Sequence, residues 1–231
     1  MVQRWFAAPA RLTEQQKGRL QAWRELPPAV LSSPFDKERY VVVDVETTGL
    51  NLMTDTLISI GAVAVVGGRI AFADSFAIVL QQEQASRKEN ILIHGISGSV
   101  QRAGIPAADA LLDFLAYLGK SPLVAFHVAF DETMIRRAMR QYLNLTFKHP
   151  WLDLAYLMPA LYPALARSHR VLDDWARRFE IHNAARHDAS ADAMVTAQLL
   201  QVSLTQARRK QAAHFAALRE LEKAQRWAHR T

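Results

Sequence analysis

Apolar residues fall along this chain in two kinds of run. Near the start, Thr13-Glu-Gln-Gln sets a capping residue three positions before a Gln, which predicts a helix to about Glu25 that Pro27-Pro28 closes. The segment to about Lys37 reads as a linker. From Tyr40 the pattern turns strand-like: YVVVDVE, then LISIGAVAVV, then, past Gly67-Gly68, RIAFADSFAIVL, the two glycines predicting a hairpin. Pro106 opens a predicted helix through Leu118, and Pro122 to Phe126 is a short run of buried-strand type. Helices are predicted over Asp131 to about Tyr142, Leu152 to Leu161, Val171 to Phe179 and Ala189 to about Leu204, with a charged helical continuation to the end. Strands first, then strand–helix alternation, then helices argue for an α/β fold with a mixed sheet covered by helices.

One strand contains a contradiction. In VVVDVETTGL, Asp44 and Glu46 stand two apart, so both project from the same face of a β-branched apolar run. Burying a charge is costly unless something pairs it. A solvated sheet edge and a divalent-cation site both answer the problem. A cation would need further ligands, and the candidates are few. Asp131 follows the short strand LVAFH at a helix start, where capping and the helix dipole also account for an acid. Asp192 lies one to two turns into an Ala-rich helix, with His187 five residues before it.

Composition narrows the chemistry. The chain has 231 residues, half of them hydrophobic, enough for one domain with a sizeable core plus appendages. It contains no cysteine, so disulfides, thiolate metal sites and a cysteine nucleophile are excluded, and any metal falls to Asp, Glu or His. No apolar run approaches membrane-spanning length and the N-terminus lacks a secretory core, so a cytoplasmic location without membrane contact is expected. Charge is uneven: residues 1–40 carry seven basic and four acidic groups, 41–200 carry 14 and 16, and 201–231 carry seven and two. The ends are thus basic enough to attract a polyanion, while the centre is slightly acidic.

In order, Asp-x-Glu-Thr-Thr-Gly-Leu, then Phe-Asp about 85 residues on, then His-x-Ala-x-x-Asp about 55 further, resemble the motifs of the DEDDh class of DnaQ-like 3′-to-5′ exonucleases, the superfamily of the proofreading epsilon subunit. The resemblance spans roughly Arg39 to Leu204. It implies a ribonuclease-H-like mixed sheet with the first three strands antiparallel. It further implies an exonuclease domain over 39–204, a helical extension and linker over 1–38, and a basic C-terminal helix over 205–231.

By the same resemblance Asp44, Glu46, Asp131 and Asp192 hold two divalent cations, Mg²⁺ or Mn²⁺, and His187 is the general base. Thr47, Thr48, Gly49 and Leu50 match the segment lying against the 3′-terminal nucleotide, and His94 (in ILIHGIS) and Phe130 match residues lining its pocket. Asp153 matches a recurrent family acid expected to be structural. The family's usual His-Asn before the second acid is replaced by Phe126 and His127, which bears on pocket contacts but leaves the acids intact.

The implied function is metal-dependent hydrolysis at 3′ ends of single-stranded DNA, releasing nucleoside 5′-monophosphates. The alternatives are RNA trimming and a polymerase-associated nucleic-acid-binding accessory with little catalysis. The terminal extensions offer Trp5 and Trp23 at one end and Phe215, Leu218, Leu221 and Trp227 at the other. These residues would pack on the domain itself or on a partner such as a polymerase.

Overall fold

The computed structural model of the protein describes residues 11–228; Trp5, with the rest of residues 1–10, and residues 229–231 lie outside the described residues. Strands β1 (Arg39–Thr47), β2 (Leu57–Val66), β3 (Arg69–Val79), β4 (Leu123–Ala125) and β5 (Trp151–Asp153) form one sheet in the order β3-β2-β1-β4-β5. The first three are antiparallel neighbours, as expected, and β4 and β5 join parallel to β1. Gly67 and Gly68, at φ +59° and +77°, make the β2–β3 turn in the left-handed region that glycine adopts without steric cost.

Nine α-helices accompany the sheet among the described residues: α1 (Glu14–Glu25), α2 (Lys88–His94), α3 (Gly98–Arg102), α4 (Ala107–Leu118), α5 (Val128–Leu143), α6 (Leu154–Leu161), α7 (Leu172–Arg178), α8 (Ala189–Arg209) and α9 (Phe215–Ala228). Alternation in β1 divides the core in two. Val41, Val43 and Val45 face one cluster with Leu111, Leu115 and Ile135, whereas Tyr40 and Val42 face the other with Trp175, Leu199 and Leu200. Asp44 and Glu46 continue the second face, toward α8.

Four expectations need correction. Helix α5 begins at Val128, not Asp131, because His127 takes the left-handed conformation (φ 67°) and turns the chain immediately after β4. Residues Trp151–Asp153 form a strand before α6, although the helical pattern was expected from Leu152; three residues are too few to show a period. Short helices α2 and α3 occupy a stretch where no element was expected. The C-terminal continuation is two helices, since α8 stops at Arg209 and Gln211, at φ 60°, redirects the chain into α9.

Both extensions pack on the domain. Thr13 and Gln16 close the expected capping box on α1, whose Leu20 and Trp23 join the first core. Trp23 donates through Nε1 to the Gly119 carbonyl at 2.7 Å, and Gln16 and Arg19 bond Asp109 and Asp113 of α4. On α9, Phe215 and Leu218 are buried in the second core and Leu221 packs against it, while Trp227 stays 71 % exposed. No helix among the described residues is long and apolar enough to cross a membrane. Because Trp23 is a wall of the core, Trp23→Ala is expected to cost about 3 kcal/mol or more in urea denaturation. A loss below about 1 kcal/mol, within the ordinary range for surface substitutions, would show α1 to be peripheral.

Candidate active site

The carboxylates meet where β1, α5 and α8 converge. An oxygen from each of Asp44, Glu46 and Asp192 lies within 4.8 Å of the others. Two acids arrive by strand alternation; the third arrives because α8 presses its first turn onto β2. Gly61, paired in register with Asp44, makes that approach possible, since a Cβ there would run into the backbone of Ala189 and Ser190. The spacing of motifs did not reveal Gly61, though a lone glycine inside an apolar strand is a signal of close backbone approach.

Asp131 stands beside this group, not within it. It is 4 % exposed, and its carboxyl lies within reach of the Val45 N–H and of its own, so the cap at this helix start is His127 and the acid is directed inward. Burial raises its pKa, and the charges of Asp153 and Glu46 add to the rise. Asp44 is also held well above the usual carboxylate range, first by burial and then by Asp131, Asp192 and Glu46. Glu46 is pushed up to about 8 by burial, Asp192 and Asp188. Crowded carboxylates that resist ionisation, all hard oxygen donors, fit a divalent cation well.

The strongest cationic influence in the cluster comes from a residue the motif reading passed over. Arg186 pairs with Asp192 through Nη1 and with Asp173 of α7 through Nε at 3.1 Å, and it lowers the pKa of both Asp44 and Glu46. Asp192 also accepts from Asn183 Nδ2 at 2.6 Å and from the His187 N–H at 3.2 Å. His187 itself is exposed and left-handed (φ 64°), so its ring sits at the surface while its backbone is tethered to Asp192.

The Thr47–Leu50 segment forms a closed loop. Thr47 Oγ1 donates to the Gly49 carbonyl at 2.6 Å, Thr48 Oγ1 to Asp55 at 2.8 Å, and Asn90 of α2 donates to the Thr48 carbonyl. A Cβ at Gly49 would collide with the Asp55 carboxylate. Arg137 of α5 clamps the far side by donating to the carbonyls of Leu52, Met53 and Asp55. The loop therefore presents Leu50, 85 % exposed, from a fixed base. Phe130 is half-buried against the first core. His94 is buried, its Nε2 bonded with Ser86 Oγ at 3.2 Å and its Nδ1 accepting from the Ile96 N–H at 3.0 Å, so it braces the α2–α3 turn.

Asp153 is 2 % exposed and fully engaged. Its Oδ1 accepts from the His127 and Ala155 N–H groups, both at 3.0 Å, and Oδ2 accepts from Arg226 at 3.2 Å; Arg226 also holds Glu222 at 2.7 Å. Helix α9 is thereby connected, through Asp153, to the left-handed residue that starts the helix of Asp131. That position also accounts for the departure at His127: Asn and His are both enriched among left-handed residues other than glycine. Phe126, in place of the family's histidine, is buried beneath it and meets its ring edge-on at 4.9 Å.

Comparisons with known proteins bear on the family and the fold. A family model described as Exonuclease (RNase_T) matches residues 41–200. The DNA polymerase III PolC-type protein of Bacillus subtilis is 33 % identical over 177 residues, covering 76 % of this chain and 12 % of that protein. The DNA polymerase III subunit epsilon-like protein of Rhodobacter capsulatus is 30 % identical over 173 residues, covering 74 % of this chain and 24 % of that protein. The chain thus spans a quarter or less of the length of these relatives. E. coli exonuclease I in complex with a dT13 oligonucleotide shares the fold, at a TM-score of 0.63 and 19 % identity over 75 % of this chain and 42 % of that one.

The raised carboxyls set a pH dependence. Unfolded, Glu46 and Asp44 lose their protons near pH 4 to 5; folded, Glu46 keeps its proton up to about 8. With a chelator present, stability should therefore fall as pH rises from about 6.5 to about 8, above the range in which the depressed His149 and His94 contribute the opposite slope, and saturating Mg²⁺, which binds the ionised forms, should remove that fall. Thermal melts across this window check it, and a melting temperature that rises with pH in chelator would contradict it.

Proposed function

The chain belongs to the exonuclease family, and from that premise we propose that it removes nucleotides from the 3′ ends of single-stranded DNA, releasing nucleoside 5′-monophosphates. The convergence of Asp44, Glu46 and Asp192 within 4.8 Å, with His187 tethered to Asp192, carries this reading. Asp44, Glu46 and Asp192, with Asp131 behind them, would hold two divalent cations, Mg²⁺ or Mn²⁺. When bound, such ions lower the pKa of a water and steady the departing oxygen.

The remaining work falls to side chains. His187 takes the proton of the attacking water, because an imidazole is the side chain best suited to proton transfer near neutral pH. Leu50, exposed on its clamped loop, packs against the terminal base, and the Thr47–Gly49 turn sets the depth of the pocket that receives the 3′ end. Arg186 supplies a fixed positive charge beside the reacting phosphate and holds the Asp192 carboxylate in position. DNA is favoured as substrate because the relatives are named as DNA polymerase proteins and the structural neighbour was solved with a deoxyoligonucleotide. A polymerase is the partner class that those names support. Residues 39–204 make the catalytic unit on this reading, with 1–38 and 205–231 as extensions to it.

Digestion of a 5′-labelled single-stranded DNA oligomer with Mg²⁺ or Mn²⁺ should give a progressively shortening ladder. Asp44→Ala should abolish it, and His187→Ala should slow it by about 10²- to 10⁴-fold while keeping stabilisation by Mg²⁺. An unchanged ladder in either variant would remove that residue from the reaction, and faster digestion of a matched RNA oligomer would overturn the DNA assignment.

A further inference from the structure

A second feature of the molecule lies at the opposite end of the sheet. Strands β1, β4 and β5 run parallel, with Asp44 and Glu46 toward the C-terminal end of β1 and Asp131 beyond the C-terminal end of β4. At the N-terminal ends of the same strands opens a cleft of about 550 Å³ whose lining includes Arg24, Leu26, Lys120, Lys148, His149 and Arg219. Lys120 and Lys148 each stand three residues ahead of a strand, β4 and β5 respectively. Arg24 comes from the last turn of α1, and Arg219 from α9.

The charge of this cleft is little offset, the interaction of Arg219 with its neighbour Glu220 aside. No acidic side chain lines it among the described residues, and none of Arg24, Lys148 and Arg219 stands within ion-pair distance of a carboxylate there. Lys120 lies over the Trp23 ring at 3.3 Å. His149 adds no charge, because burial pushes it down to about 4 and its Nε2 bonds the Ser121 carbonyl at 2.7 Å. Four cations drawn into one concavity repel each other, and an anion of several regularly spaced charges relieves that repulsion best.

The lining also says how such an anion is held. Aromatic stacking platforms mark sites that grip bases, and no Trp, Tyr or Phe lines this cleft: Trp23 is 8 % exposed and covered by Lys120, and the lining ring of His149 is stacked on Phe147 at 5.3 Å. Cations without a stacking face contact backbone phosphates. We propose that the cleft binds phosphodiester groups of a nucleic-acid strand well upstream of its 3′ end, while that end lies among the carboxylates. The proposal rests on the nuclease reading for the path of the strand. It also gives the two basic extensions one task, since Arg24 and Arg219 both lie outside the matched residues 41–200.

The test is fluorescence anisotropy in chelator, where nothing is digested, comparing a labelled DNA strand of about 30 nucleotides with a tetranucleotide. The variant is Arg24→Gln/Lys148→Gln/Arg219→Gln, with Lys120 left in place because it covers Trp23. The long strand should bind the variant at least about tenfold more weakly, and the slope of log affinity against log salt should fall by about 2, at roughly 0.7 per lost phosphate contact on a single strand. Tetranucleotide affinity should stay as in the wild type, and the melting temperature should not fall. Unchanged long-strand affinity and slope would overturn the proposal, as would displacement of the strand by an acidic peptide of equal charge at lower concentration than by unlabelled DNA. If the wild type digests no strand with metal yet the variant loses long-strand binding, the cleft assignment stands and the nuclease reading falls.

Discussion

Mutual repulsion among half-buried carboxylates is the constraint on which the rest of this structure depends. Asp44, Glu46 and Asp192 bring their oxygens within 4.8 Å of each other, with Asp131 close behind, in a place where burial already penalises the charges of Asp44, Glu46 and Asp131. Such a cluster does not assemble itself. It is assembled by the apolar residues that alternate with it: Val41, Val43 and Val45 sink into the first core and fix β1, which leaves Asp44 and Glu46 no face but the one toward α8.

Each further element answers the same constraint. Gly61 lets α8 descend far enough to deliver Asp192, and the Arg186 guanidinium, shared between Asp173 and Asp192, offsets part of the negative charge. Helix α5 delivers Asp131 in its first turn and, through Arg137 less than two turns on, clamps the Leu52–Asp55 loop, so the acids and the exposed Leu50 are referred to one rigid body. Helix α9 supports that body from behind by way of Arg226 and Asp153. Negative charge is gathered at one end of the parallel strands, and a cleft lined by cations and no acids lies at the other.

Much of this was legible in the sequence, for physical reasons that can be named. The three long strands, the glycine hairpin and the capped first helix each carry a local signature, and the shared face of Asp44 and Glu46 follows from a period of two. Strand β5 was not legible, because Trp151–Asp153 is shorter than any period. Nor was the start of α5, which depends on His127 adopting a left-handed conformation that tertiary bonds to Asp153 hold in place. The roles of Gly61, Arg186 and Arg226 are set by contacts between distant segments, and no spacing along the chain announces them. The separate α9 depends likewise on Gln211 turning the chain at a positive φ that its own residue type does not favour.

The central claim is that cation binding resolves this repulsion. Calorimetric titration of Mn²⁺ at pH 7 in two buffers of different ionisation enthalpy tests it most directly, by comparing the wild type with Asp44→Asn. Wild-type binding should release protons, because carboxyls held above their usual range must ionise to become ligands, and Asp44→Asn should lose most of the affinity. Binding of equal strength in the two proteins, or wild-type binding without proton release, would contradict it.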